Sequence, residues 1–154
     1  MASLKVGDPA PDFALPDQEG RIVRRSDYLG KKLVLYFYPK DFTPGCTSET
    51  INLASHYDAL QAAGLDVAGI SPDPVESHRK FAEKYQVPFR LLSDEDHTVA
   101  EAYGVWGEKK MYGRTYMGIY RTTFLIDEKG VIFHIFKKVK VKEHAQQILT
   151  VVKQ

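Results

Sequence analysis

Six consecutive apolar and aromatic residues, Leu33-Val34-Leu35-Tyr36-Phe37-Tyr38, most constrain what this chain can fold into. A strand with one wet face alternates apolar and polar side chains. An unbroken run suits a strand buried on both faces, as in a sheet covered by helices. Next comes a breaker-rich stretch, Pro39-Lys40-Asp41-Phe42-Thr43-Pro44-Gly45-Cys46. Beyond it Ile51, Ala54, Tyr57, Ala59 or Leu60, and Ala63 recur near helical spacing over residues 47–63, and Gly64 supplies a stop. A buried strand, a loop and a helix start therefore meet at Cys46.

The rest of the chain fits around that unit. The segment Gly7-Asp8-Pro9-Ala10-Pro11-Asp12-Phe13 reads as an extended entry, and Asp17-Gln18-Glu19-Gly20 as a hairpin turn before a short polar edge strand at 21–24. Ser26 opens a single helical turn ending at Gly30. Residues 65–70 form the next strand. Asp73-Pro74-Val75-Glu76 predicts a helix start, with Asp73 as acidic N-cap and Glu76 three residues on. Phe81 and Tyr85 share a face of that helix. A strand at 89–92, an acidic turn Asp94-Glu95-Asp96 and a helix around 99–103 follow. Residues 104–120, with four glycines, read as a long loop. Strands at 122–126 and 131–136 are joined by a turn, and Ala145, Ile148, Leu149 and Val152 mark one face of a C-terminal helix. Strands alternating with helices predict an α/β class with a mixed sheet, in one domain over 1–154.

Composition narrows the function. Lys plus Arg number 21 and Asp plus Glu 20, a net charge of +1, which gives no bulk attraction to nucleic acid or anionic lipid. The basic run Lys137, Lys138, Lys140 and Lys142 reads as a solubilising strand end. Lys109, Lys110 and Arg114 are too few to argue nucleic-acid binding among the aromatics of 104–120. The longest apolar run is far too short for a bilayer, and residues 1–11 carry no secretory signal, so the expected compartment is the cytoplasm. His56, His78, His97, His134 and His144 are dispersed without metal-ligand spacing, and Asp94-Glu95-Asp96 lacks the glycine of a calcium loop, reading instead as a solvated helix start. Neither cofactor nor metal is expected.

Cys46 is the single cysteine. A lone cysteine is more often a small buried hydrophobe than a nucleophile. Here Thr43 can cap a helix whose first residue is Pro44, which puts Cys46 in the first turn. Unpaired N–H groups and the helix dipole favour a thiolate there. Gly45 removes bulk beside the sulfur, and Pro39 stiffens the loop entry.

The pattern Pro39-x-x-x-Thr43-x-x-Cys46, with Arg121 placed just before a later strand, resembles the active site of peroxiredoxins. The similarity extends through Lys5 to Phe13, Tyr36 to Thr47, Leu91-Leu92-Ser93-Asp94-Glu95-Asp96, Tyr103 to Lys109, and Arg121-Thr122-Thr123-Phe124-Leu125-Ile126-Asp127. The subfamily it resembles is that of bacterioferritin comigratory protein, or peroxiredoxin Q. This resemblance implies a thioredoxin-like fold, a central mixed sheet flanked by helices, and reduction of hydrogen peroxide or alkyl hydroperoxides through a Cys46 sulfenic acid. It implies that Thr43 orients the peroxide, that Arg121 stabilises thiolate and leaving oxygen, and that Pro39 shields the sulfur. Backbone N–H groups near Gly45 and Cys46 complete the clamp, and Glu49 supports the arginine. Many members carry a resolving cysteine where this chain has Ile51 or Ala82. Without one, the reductant comes from outside: thioredoxin, glutaredoxin or a small thiol. A monomer or weak homodimer is expected. Two other uses of the same thiolate stay open, a redox-sensing module and a thiol–disulfide exchanger, although the latter lacks a C-x-x-C pair.

Overall fold

The computed structural model describes residues 4–153. The continuous apolar run becomes β3 (Lys32–Phe37), the middle strand of a five-stranded sheet. Its parallel neighbour is β4 (Leu65–Ser71), itself paired in parallel with the edge strand β5 (Arg90–Ser93). On the other side runs antiparallel β8 (Thr122–Ile126), followed by β9 (Ile132–Phe136). The sheet is mixed, in the order β5-β4-β3-β8-β9.

Successive residues of a strand point to opposite faces, and β3 divides that way. Leu33, Leu35 and Phe37 join a cluster with Phe13, Ile70, Phe124 and Tyr103, the last of these just past α4 (Thr98–Ala102). Val34, Tyr36 and Tyr38 face a second cluster built with Leu53, Leu60, Phe81 and Ile148. Those four come from α1 (Pro44–Ser55), α2 (Tyr57–Ala62), α3 (Val75–Tyr85) and α5 (His144–Val152). Cys46 lies in this second cluster. Tyr36 is admitted by a glycine: its β4 partner is Gly69, where a Cβ would fall 2.7 Å from the ring.

The turn Asp17–Gly20 does join two short strands, β1 (Ala14–Pro16) and β2 (Ile22–Arg24), as a separate two-stranded sheet. Four expectations need correction. The helix does begin at Pro44 as expected, but the stretch to residue 63 breaks in two at His56, whose ring Nδ1–H donates to the Asn52 carbonyl at 2.8 Å. Asp73 does not cap α3. Pro74 holds the cap position, Glu76 pairs with Arg79, and Asp73 Oδ2 accepts the Asp41 N–H at 2.8 Å and the Ser71 hydroxyl at 2.6 Å. Asp94 is buried rather than solvated, accepting the N–H groups of Val99 and Ala100 at the start of α4. Finally, 104–120 is no loop. It holds a hairpin of β6 (Trp106–Met111) and β7 (Arg114–Ile119), turned at Tyr112 and Gly113 with positive φ at both. The hairpin forms its own sheet outside the main one and is largely exposed, so no burial period marks it.

Candidate active site

The site is assembled by a strand register. Phe37, the last residue of β3, pairs with Thr122, the first of β8. The chain leaving β3 and the residue entering β8, Arg121, therefore emerge side by side at one end of the sheet. After β3 the chain turns through Phe42, held at φ 68 with its ring against Phe81, and starts α1 at Pro44. Thr43 occupies the N-cap position through its backbone alone. Its carbonyl accepts the Thr47 N–H at 2.9 Å, while its hydroxyl donates to the Lys40 carbonyl at 2.7 Å instead of capping. The first turn of α1 contains no acid and its N–H groups receive no side-chain cap. That end of the helix offers its donors and positive dipole end to an anion.

Cys46 sits in this turn, 1% exposed. Arg121 Nη2 donates to its Sγ at 3.3 Å, and Nη1 donates to Glu49 Oε1 at 2.6 Å. One planar guanidinium thus bridges the sulfur and a carboxylate one helical turn away. Gly45 makes the approach feasible, since a Cβ there would stand 3.3 Å from Arg121 Nη2. The space beside the sulfur is used by the arginine. Burial works against the Arg121 charge, but Glu49 and Cys46 outweigh it and hold the guanidinium firmly protonated. Burial likewise raises Glu49, to about 7, with the Arg121 charge and hydrogen bond opposing that rise.

Behind Glu49 lies His144, wholly buried at the start of α5. Its Nδ1 meets Gln147 Oε1 at 2.9 Å and its Nε2 the Thr123 hydroxyl at 2.7 Å. Burial pushes this imidazole down to about 4, so its 3.9 Å approach to Glu49 Oε2 is a contact with a neutral ring. Among the described residues, Glu49 Oε2 has no hydrogen-bond partner and Arg121 alone anchors the carboxylate.

Of the residues singled out from sequence, Cys46, Gly45, Glu49 and Arg121 come together, and Thr43 heads the same helix. Pro39 lies half-buried at the exit of β3. Two further groups carried no legible signal. His144 reaches Glu49 only through the packing of α5 against α1. Asp41 accepts the Tyr38 hydroxyl at 2.6 Å, the Ser77 hydroxyl at 2.8 Å and His78 Nδ1 at 2.7 Å, pinning the loop to α3. Asp41, Asp73 and His78 gather close enough to hold a cation, but each is already engaged by protein partners.

Residues 6–135 match the AhpC/TSA family. The chain is 49% identical to peroxiredoxin Bcp of Escherichia coli K12 over 154 residues, covering 100% of this chain and 99% of that one. It is 46% identical to peroxiredoxin Bcp of Bacillus subtilis over 151 residues, covering 98% and 96%. Among solved structures, peroxiredoxin Q of Xanthomonas campestris superposes with a TM-score of 0.88 at 38% identity, covering 99% and 96%.

Proposed function

The chain belongs to the AhpC/TSA family, in its bacterioferritin comigratory protein and peroxiredoxin Q branch, and from that premise we propose how its residues divide the work of a thiol-dependent peroxidase. The observation that carries the proposal is the 3.3 Å contact between Arg121 Nη2 and Cys46 Sγ at an uncapped helix N-terminus. Such a position favours a thiolate and places a fork of donors beside it.

The thiolate electron pair forms a bond to one peroxide oxygen while the O–O bond breaks. The other oxygen leaves with that bonding pair and takes a proton, so water or an alcohol departs and sulfur is left as sulfenic acid. Arg121 and the N–H groups of the first turn stabilise negative charge as it moves from sulfur to the leaving oxygen. The proton of the Thr43 hydroxyl is committed to Lys40, so its lone pairs accept the peroxide O–H and align the molecule. Glu49 holds Arg121 in place, and Pro39 limits water at the sulfur.

Cys46 is the only cysteine in the 154 residues, so no disulfide forms within them. The sulfenic acid is reduced by two equivalents of an external thiol, which leave as a disulfide with one water. We assign that role to thioredoxin, glutaredoxin or a small thiol. We also propose that 1–154 works as one domain, as a monomer or weak homodimer in the cytoplasm.

Rapid mixing of the reduced protein with hydrogen peroxide and with an alkyl hydroperoxide, followed by mass detection of Cys46 sulfenate, tests the reading. Fast sulfenate formation is expected, and Arg121→Ala slows it by about 100-fold while leaving the fold intact. Oxidation no faster than that of a free thiol sinks the peroxidase assignment.

A further inference from the structure

A buried oxygen beside the site lacks a donor that stands close by. Glu49 Oε2 has no hydrogen-bond partner among the described residues, although His144 Nε2 is 3.9 Å away. Buried polar atoms are ordinarily partnered, so the ring is withholding a proton. The reason lies on its other side. Gln147, one turn along α5, accepts the Lys140 N–H on Oε1 at 3.1 Å and donates from Nε2 to the Lys138 carbonyl at 3.2 Å. A backbone N–H only donates and a backbone carbonyl only accepts, so this amide has one orientation. Its Oε1 also faces His144 Nδ1 at 2.9 Å, and that ring nitrogen must be the donor. A neutral imidazole carries one N–H. Nε2 is then an acceptor. It receives the Thr123 hydroxyl at 2.7 Å and has no proton for Glu49.

We infer that Gln147 and His144 are positioning residues of the active site: the Gln147 amide fixes the ring proton on Nδ1, which leaves Arg121 as the side chain that Glu49 binds and so holds the guanidinium against the Cys46 sulfur. The contacts form a continuous chain. Beyond the ring, Glu49 Oε1 accepts from Arg121 Nη1 at 2.6 Å, and Arg121 Nη2 donates to Cys46 Sγ at 3.3 Å. With its proton on Nε2 instead, the ring would donate to Glu49 Oε2 and draw the carboxyl off the guanidinium fork. Turning the ring gives no escape. Thr123 on β8 and Gln147 on α5 engage its two nitrogens, and Phe136 on β9 meets it edge-on with centroids 5.3 Å apart. The charged groups facing it are Glu49 from α1 and Arg121 from the β8 entry. Burial and the Arg121 charge outweigh the Gln147 hydrogen bond and keep the ring neutral. The consequence for catalysis rests on the peroxidase reading, whereas the placement of the proton does not.

The test joins a spectrum to a mutant cycle. Nitrogen NMR of the histidine rings in the reduced, unsubstituted protein near neutral pH should show His144 protonated at Nδ1 and bare at Nε2. A proton on Nε2, alone or together with one on Nδ1, overturns the inference. Gln147→Met keeps the length of the side chain and removes the acceptor. The His144 proton should then move to Nε2 in part or all of the molecules, and sulfenate formation should slow about tenfold. In an Arg121→Ala background the same substitution should cost nothing further, because its effect passes through the guanidinium. An equal loss in both backgrounds is the mark of a packing role and overturns the inference. So does an unmoved proton in Gln147→Met, or an unchanged rate once the proton has moved. The spectrum of the unsubstituted protein needs neither the variant nor turnover. It therefore decides where the proton sits even if Gln147→Met does not fold, or if slow sulfenate formation sinks the peroxidase reading.

Discussion

At the scale of the residue, Glu49 is the most unusual group in the molecule. It is fully buried, anchored by one oxygen, and accompanied by a neutral imidazole. An ordinary glutamate releases its proton near 4.5, whereas burial keeps this one protonated to about 7. Between those values the folded chain binds more protons than the unfolded chain, so its contribution to stability falls as pH rises through the window. Glu49→Gln lacks this dependence. Urea denaturation should show the stability of Glu49→Gln gaining about 2–3 kcal/mol on the unsubstituted protein between about pH 4 and about pH 8. Parallel curves across that range would mean that Glu49 stays ionised when folded. The sequence led to Glu49 only through family resemblance. Nothing in the local pattern could reveal that Arg121, 72 positions away, is its sole hydrogen-bonding side chain among the described residues.

At the scale of the element, the loop between β3 and α1 is tied down by Asp41. Its carboxylate takes three side-chain donors, from Tyr38, Ser77 and His78, and its N–H reaches Asp73. Asp41→Ala deprives the buried Tyr38 hydroxyl and His78 Nδ1 of their carboxylate acceptor. Stability should drop by about 3–5 kcal/mol in urea denaturation, and sulfenate formation should slow because the first turn of α1 loses its mooring. A melting curve like that of the unsubstituted protein would show the loop to be held by something else. The strands β3, β4, β8 and β9 were legible because burial leaves runs of apolar and β-branched residues in the sequence. The hairpin β6–β7 was not, since strands with two exposed faces impose no period, and its glycines and tyrosines mimic a loop. Asp73 misled for a different reason. A carboxylate beside a helix start has the chemistry of a cap, but Ser71, two residues back, competes for it, and the Asp41 N–H lies close only after folding.

At the scale of the whole molecule, catalysis is incomplete within the chain. One sulfur takes one oxygen and then waits. Without added thiol, peroxide consumption should stop at about one equivalent per chain, and non-reducing electrophoresis should show no intrachain cross-link. Adding dithiothreitol should restore repeated turnover. Consumption far beyond one equivalent without thiol would point to a different reaction. The fold class and the location of the nucleophile were readable because both follow from residues close together in the chain. The site's electrostatics were not, because Arg121 reaches Cys46, and His144 reaches Glu49, only through sheet register and helix packing.

The pairing of Phe37 with Thr122 has a further consequence for how this chain tolerates change. Cys46 and Arg121 lie 75 positions apart, yet the ladder rung between β3 and β8 sets the spacing of their elements. Insertions and deletions in the turns after β4, α3 or α4 lengthen or shorten the path between them without moving that rung. The molecule can therefore vary in outline, at its connecting turns and along its hairpin, while the distance that matters to its chemistry stays fixed.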